Sequence, residues 1–121
     1  MNQANTMAKV IYDALDEKKG ADIKIIDIST VSTIADYFVV CTGNSTTQIK
    51  ALSDALDEEL EKCGVHFIGK EGFNAANWIL MDYGSVVIHI FSEEMREFYS
   101  IEHLWADAES VDISKYTIDE N

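Results

Sequence analysis

The 121-residue chain reads as one α/β domain built on a mixed β-sheet, with helices packed on one face. Three features predict this. Amphipathic segments with three- and four-residue apolar spacing alternate with short β-branched runs, in the order α-β-β-α-β-β-β-α. One of those runs, Asp36–Thr42 (DYFVVCT), is almost continuously apolar, as a central strand covered on both faces would be. No repeat, proline or low-complexity linker divides the chain, and its length suits a single core of two or three layers.

The first helix covers Asn5–Lys19, where Met7, Val10, Ile11, Ala14 and Leu15 share a face and Gly20 caps the end. Ile23–Ile28 (IKIIDI) is a short strand, and small, polar Thr30–Ala35 is a connection. The central strand Asp36–Thr42 ends at Gly43-Asn44-Ser45, and Ser45 with Gln48 forms a capping box for the next helix. Its inner face is Ile49, Leu52, Leu56, Leu60 and Cys63, and Gly64 stops it. Asp54, Asp57, Glu58, Glu59 and Glu61 make up its solvated side. Val65–Gly69 reads as a third strand and Lys70–Asn74 as a loop.

Asn77–Phe91 (NWILMDYGSVVIHIF) then reads as a β-hairpin. A two-residue loop at Tyr83-Gly84 sets Leu80 opposite Val87 and Trp78 opposite His89. Ile79, Met81, Val86, Ile88 and Ile90 then share an aliphatic face. Trp78, Leu80, Asp82, Ser85, Val87, His89 and Phe91 share the other. A three-residue loop would blur this division. Tyr83 is a poor residue for positive φ, which argues against the first register, whereas segregation argues for it; segregation decides. Ser92 caps a third helix with Glu93 and Glu94 in its first turn and Met95, Phe98 and Tyr99 along its stripe. Ile101, Leu104 and Trp105 suggest another short helical piece, and from Asp107 the chain becomes an acidic, loosely held tail.

Composition narrows the function. Twenty-two acidic against nine basic residues give a net charge of −13. A protein that tracks phosphates needs the opposite sign, because Lys and Arg displace the counterions. Such a charge suits steering towards a basic protein, or it serves solubility alone. No apolar run reaches the roughly 20 residues of a membrane span, and the first residues lack a signal-peptide layout, so a cytoplasmic location is expected. Cys41 and Cys63 fall at apolar pattern positions, the usual place of buried free thiols. Neither has metal-ligand spacing with His66, His89 or His103, so no metal or cofactor is expected.

No catalytic set emerges. Gly43-Asn44-Ser45, between strand and helix, is the kind of turn that cradles phosphate, but a capped helix is the better explanation of it. Two-metal chemistry would also need carboxylates one residue apart on a strand, and Asp82 stands alone at its hairpin tip. Asp82 and His89 lie ~15 Å or more apart along the hairpin, too far for joint acid–base work. Trp78, Leu80, His89 and Phe91, with Arg96 and Tyr99 beyond, have the composition of an interface hot spot or of a second core.

Several motifs, in order, resemble one family. These are Asp36–Ser45 (DYFVVCTGNS), Glu71-Gly72, Asn77–Gly84 (NWILMDYG), Val87–Phe91 (VIHIF) and Arg96–Trp105 (REFYSIEHLW). Together they are similar to the Iojap-type ribosomal silencing factors from about Met7 to Ala108, with Ile101 where that family usually has Leu. The resemblance implies a silencing-factor domain over residues 1–108, an acidic tail over 109–121, and a nucleotidyltransferase-like fold without its catalytic carboxylates. It implies a non-enzymatic factor that binds the large ribosomal subunit through ribosomal protein fourteen and blocks joining of the small subunit. Trp78 and Leu80 would then be apolar anchors, and Asp82 and Asp36 partners for basic side chains. His89, Phe91, Arg96 and Tyr99 would fill in around them. Two rival readings are a nucleotide-binding enzyme using Gly43–Ser45 and a homodimer paired through its aromatic face.

Overall fold

β2 (Tyr37–Gly43) and β5 (Val86–Ser92) run parallel at the middle of the sheet, and all but the last of their residues are buried. Burial on both faces is why DYFVVCT lacks the alternation of a half-exposed strand. In a computed structural model, residues 3–30, 33, 35–99 and 109–110 are described. Around the central pair stand β1 (Ala21–Asp27), β3 (Gly69–Glu71), β4 (Trp78–Asp82) and β6 (Glu109–Ser110). They complete a six-stranded sheet in the order β3-β4-β5-β2-β1-β6. Among the described residues only β2 and β5 pair in parallel and the other neighbouring pairs are antiparallel, so the sheet is mixed as predicted.

α1 (Gln3–Glu17) and α2 (Thr46–Lys62) cover one face. Their apolar stripes, including Ile11, Leu15, Ile49, Leu52, Leu56 and Leu60, pack on Val39, Cys41, Ile79, Met81, Ile88 and Ile90. The opposite face holds a second cluster of Ile26, Phe38, Val40, Val87 and Phe91, against which Met95 of α3 (Glu93–Tyr99) packs. The helices are thus split between faces, two on one and the short α3 on the other.

The hairpin keeps its predicted faces in a different register. Asp82 pairs with Val87, Leu80 with His89 and Trp78 with Phe91. Tyr83 N–H donates to the Val86 carbonyl at 2.9 Å, so the two loop residues are Gly84 and Ser85, one position later than expected. Of the turn residues only Gly84, at φ +86°, takes a positive φ. Tyr83 therefore needs no positive φ. Because every opposed pair has shifted by two residues, no side chain changes face.

Other expectations shift locally. The left-handed residue ending α1 is Lys19, at φ +64°, rather than Gly20. A Cβ on Gly20 would lie 2.5 Å from Cys41 Sγ, so that glycine serves close packing against β2. Cys63, placed on the buried stripe of α2, caps the helix and is exposed, whereas Cys41 is buried. The third strand begins at Gly69, not Val65, and takes in part of the expected loop. Glu109 and Ser110, read as the start of the tail, pair with Asp27 and Ile26; residues 111–121 and the helical piece around 101–105 lie outside the described residues.

Gly72 fixes the turn between β3 and β4. It sits at φ +84°, and an added Cβ would collide with the Trp78 carbonyl oxygen. Both effects oppose any side chain. Gly72→Ala is expected to lower stability by about 2 kcal/mol or more, read by denaturant unfolding; an unchanged midpoint would contradict this placement.

Candidate partner-binding site

Across the face opposite α1 and α2, exposure falls from the edge towards the centre. Trp78 and Leu80 on β4 are partly buried, whereas Val87, His89 and Phe91 on β5 are 8%, 3% and 0% exposed. The expected aromatic face is therefore both things at once. Its middle is core, and its β4 margin meets solvent.

The margin is organised by aromatic rings. Trp78 lies 5.1 Å from Phe91 and 6.0 Å from His89, centroid to centroid. His89 stacks on Phe91 at 5.8 Å with the rings 5° apart, and tilts against Phe38 at 5.1 Å. Trp78 Nε1–H donates to His89 Nδ1 at 3.1 Å. An accepting Nδ1 on a neutral ring places the proton on Nε2, which is buried with no hydrogen-bond partner among the described residues. Beside this cluster, Glu71, Gly72, Trp78 and Leu80 line a notch of about 260 Å³. That is small beside the ~300–1,000 Å³ of typical ligand pockets, and better matched to one protruding side chain.

The carboxylates gather at the turn end. Glu71 pairs with Leu80, and Gly69 with Asp82, so Glu71 and Asp82 flank the apolar pair on the same face. One Asp82 oxygen accepts the Gly84 N–H at 2.8 Å, orienting the carboxylate and holding the turn. Asp36 is exposed, and its N–H donates to the Ser85 carbonyl at 2.8 Å, which ties it to the same end of the sheet.

The structure thus brings Trp78, Leu80 and Asp82 to one accessible margin, and Glu71 joins them, a residue the sequence reading left in a loop. A strand register through Gly69–Glu71 would have found it. Asp36, just before β2 and level with Ser85, stands at the turn end of the sheet, away from Trp78, which is level with Phe91. His89 and Phe91 are buried behind the margin and present no surface for a partner. Arg96 is 9% exposed; its Nη1 donates to Thr42 Oγ1 at 2.8 Å and to the Asp22 carbonyl at 2.6 Å, clamping α3 to β1 and β2. Its role in this conformation is structural. The Tyr99 side chain lies outside the described residues. Asp82 and His89 are diagonal neighbours, roughly 7–8 Å apart, closer than expected, yet each is engaged elsewhere.

At the opposite end, the turn considered for phosphate is filled by its own side chains. Ser45 Oγ accepts the Gln48 N–H at 3.1 Å and Gln48 Oε1 accepts the Asn44 N–H at 2.6 Å. Gln48 Nε2 also donates to the Lys18 and Lys19 carbonyls, joining α2 to the end of α1. Burial pushes the Cys41 thiol up to about 12, which leaves it protonated and unreactive at neutral pH. Among the described residues no cluster of His, Cys, Asp and Glu has metal-site geometry, and no helix is long and apolar enough to cross a membrane.

Burial holds His89 at about 4, below its ordinary 6.5. The unfolded chain therefore takes up this proton before the folded one does. Stability from the neutral ring is complete above pH 6.5 and is lost as pH falls towards and through about 4. Between pH 7 and pH 4 the wild type is expected to lose about 3 kcal/mol more stability than His89→Phe. Denaturant titrations of both proteins across that range check it; parallel pH profiles would show that the ring titrates normally.

The chain as a whole is similar to several known proteins. The family model described as "Ribosomal silencing factor during starvation" matches residues 1–121. A Bacillus subtilis protein named ribosomal silencing factor RsfS is 37% identical over 93% of this chain and 95% of its own. A mouse protein, "Mitochondrial assembly of ribosomal large subunit protein 1", is 32% identical over 79% of this chain and 43% of its own. A crystal structure of a Chromobacterium violaceum protein superposes with a TM-score of 0.83 at 35% identity, covering 88% of each chain.

Proposed function

The chain belongs to the ribosomal silencing factor family, and from that premise we propose that it binds the large ribosomal subunit through ribosomal protein fourteen. Bound there, it sterically blocks joining of the small subunit and represses translation, as a cytoplasmic, non-enzymatic factor. The observation that carries this reading is the β4 margin, where partly buried Trp78 and Leu80 stand beside Glu71 and Asp82, with Asp36 exposed farther in at the turn end of the sheet. Apolar anchors ringed by carboxylates suit a basic protein surface rather than RNA. The mouse relative's name, which refers to the ribosomal large subunit, supports the choice of subunit. Against a nucleotide-binding enzyme stands the turn at Gly43–Ser45, whose capping groups already satisfy one another.

Docking by this margin has two separable components. Trp78→Ala is expected to keep the fold and weaken binding by about 2 kcal/mol or more, as loss of a hot-spot aromatic does. Co-sedimentation with separated subunits tests it: wild type should pellet with the large subunit alone, and the variant should stay in the supernatant. Pelleting with neither subunit, alongside a concentration-dependent mass, would replace this reading with self-association. The acidic rim should act chiefly on encounter. Asp36→Lys with Asp82→Lys is expected to slow association about tenfold at low ionic strength, and the difference should shrink as salt is raised. An unaltered association rate would remove these carboxylates from the interface.

A further inference from the structure

We propose that His89 is a positioning residue, which never touches the partner but holds the Trp78 indole in its docking orientation through the Nε1–H···Nδ1 hydrogen bond. The inference rests on the docking role assigned above to Trp78. The bond is 3.1 Å long and joins a buried imidazole to a side chain at the solvent margin. The acceptor is itself immobilised. Phe91 stacks on the imidazole, Phe38 tilts against it, and Leu80 stands directly across the strand pair. Trp78 in turn leans on Phe91, so indole and imidazole share one aromatic support.

The choice of residue type carries the argument further. A ring surrounded by Phe38, Phe91 and Trp78 would pack well as phenylalanine, with no polar atom to satisfy. Histidine here leaves Nε2 buried with no hydrogen-bond partner among the described residues, an arrangement native proteins ordinarily avoid. What the imidazole supplies and a phenyl ring cannot is an acceptor for Trp78. That bond removes indole rotamers that would otherwise be lost on docking, so the benefit appears in affinity while the unpartnered nitrogen burdens the fold. Stability and binding should then respond to its removal in opposite directions, which a purely structural histidine would not produce.

The test is a double-mutant cycle between Trp78 and His89, read as affinity for purified large ribosomal subunits at pH 7.5, with thermal unfolding measured in parallel. His89→Phe is expected to retain or raise the unfolding temperature while weakening binding about five- to tenfold. In a Trp78→Phe background, which offers no N–H, adding His89→Phe should change affinity no further. Wild-type affinity in His89→Phe, or losses that simply add, would overturn the inference. Should His89→Phe fail to fold, replacing the Trp78 indole by benzothiophene deletes the same N–H with His89 intact. It must give the same loss, and unchanged affinity would overturn the inference equally. Trp78→Ala separates the two levels. If it binds like wild type, the docking reading fails; if it alone loses binding, only the role of His89 does.

Discussion

The rest of the structure depends on the parallel pairing of β2 with β5. Seven consecutive residues on each strand are in register, from Tyr37 opposite Val86 to Gly43 opposite Ser92. Parallel neighbours cannot be joined by a tight turn, so the intervening chain must cross back along the sheet. It does so through α2 and the β3–β4 pair, and β4 then feeds β5 by the Gly84-Ser85 turn. The ladder thereby determines where β4 lies. β4 sits beside the centre, close enough for its Ile79 and Met81 to enter the main core. It is also far enough out for Trp78 and Leu80 to meet solvent.

That position explains how one hairpin supplies both core and site. On the face under α1 and α2, every inward residue of the two strands is aliphatic or a thioether and fully buried. On the other face, cover comes from α3, which is short and is held by the Arg96 clamp and by Met95. Cover over β5 and none complete over β4 gives the fall in exposure from Leu80 to His89, although the two are directly paired. The sheet also limits its own edge. β3 is only three residues long, and Lys70 faces back over Phe67 and Phe73, a device that discourages strand-to-strand association.

What was legible in the sequence follows from how local its causes are. The α2 cap could be read because Ser45 and Gln48 stand three residues apart and bond within one turn. The division of the hairpin between faces could be read because period-two alternation survives any shift that preserves parity. Its register could not. Gly84-Ser85 and Tyr83-Gly84 both satisfy alternation, and only the fit of the turn to the flanking ladder separates them. Tertiary facts were equally hidden. Nothing near Gly20 signals the Cys41 sulfur that excludes a side chain there, and nothing near Arg96 signals the carbonyl of Asp22, 74 residues away. Whether His89 and Phe91 belonged to an interface or to a second core stayed open, because composition alone does not say which part of an aromatic face is roofed. The family resemblance, by contrast, rests on the order of short motifs and needed no geometry.

The physical division of labour at the margin follows from the dielectric on each side of Trp78. Behind it, the buried imidazole is held neutral, and a hydrogen bond in that low-polarity setting is directional and insensitive to salt. Outside it, Glu71 and Asp82 on the margin and Asp36 farther in at the turn end stand at or near solvent, where charges act over distance but add little to a contact once made. In the docking role proposed for this surface, electrostatics would therefore govern approach and the exclusion of phosphate-rich surroundings, an effect reinforced by the chain's net charge of −13. Residence in that proposed complex would be governed instead by apolar area and by the rigidity of the side chains that bury it. A strand margin supports that rigidity better than a loop, because each anchor is fixed by a cross-strand partner: Trp78 by Phe91 and Leu80 by His89. The parallel ladder at the centre of the sheet is thus what gives the outer margin its fixed geometry.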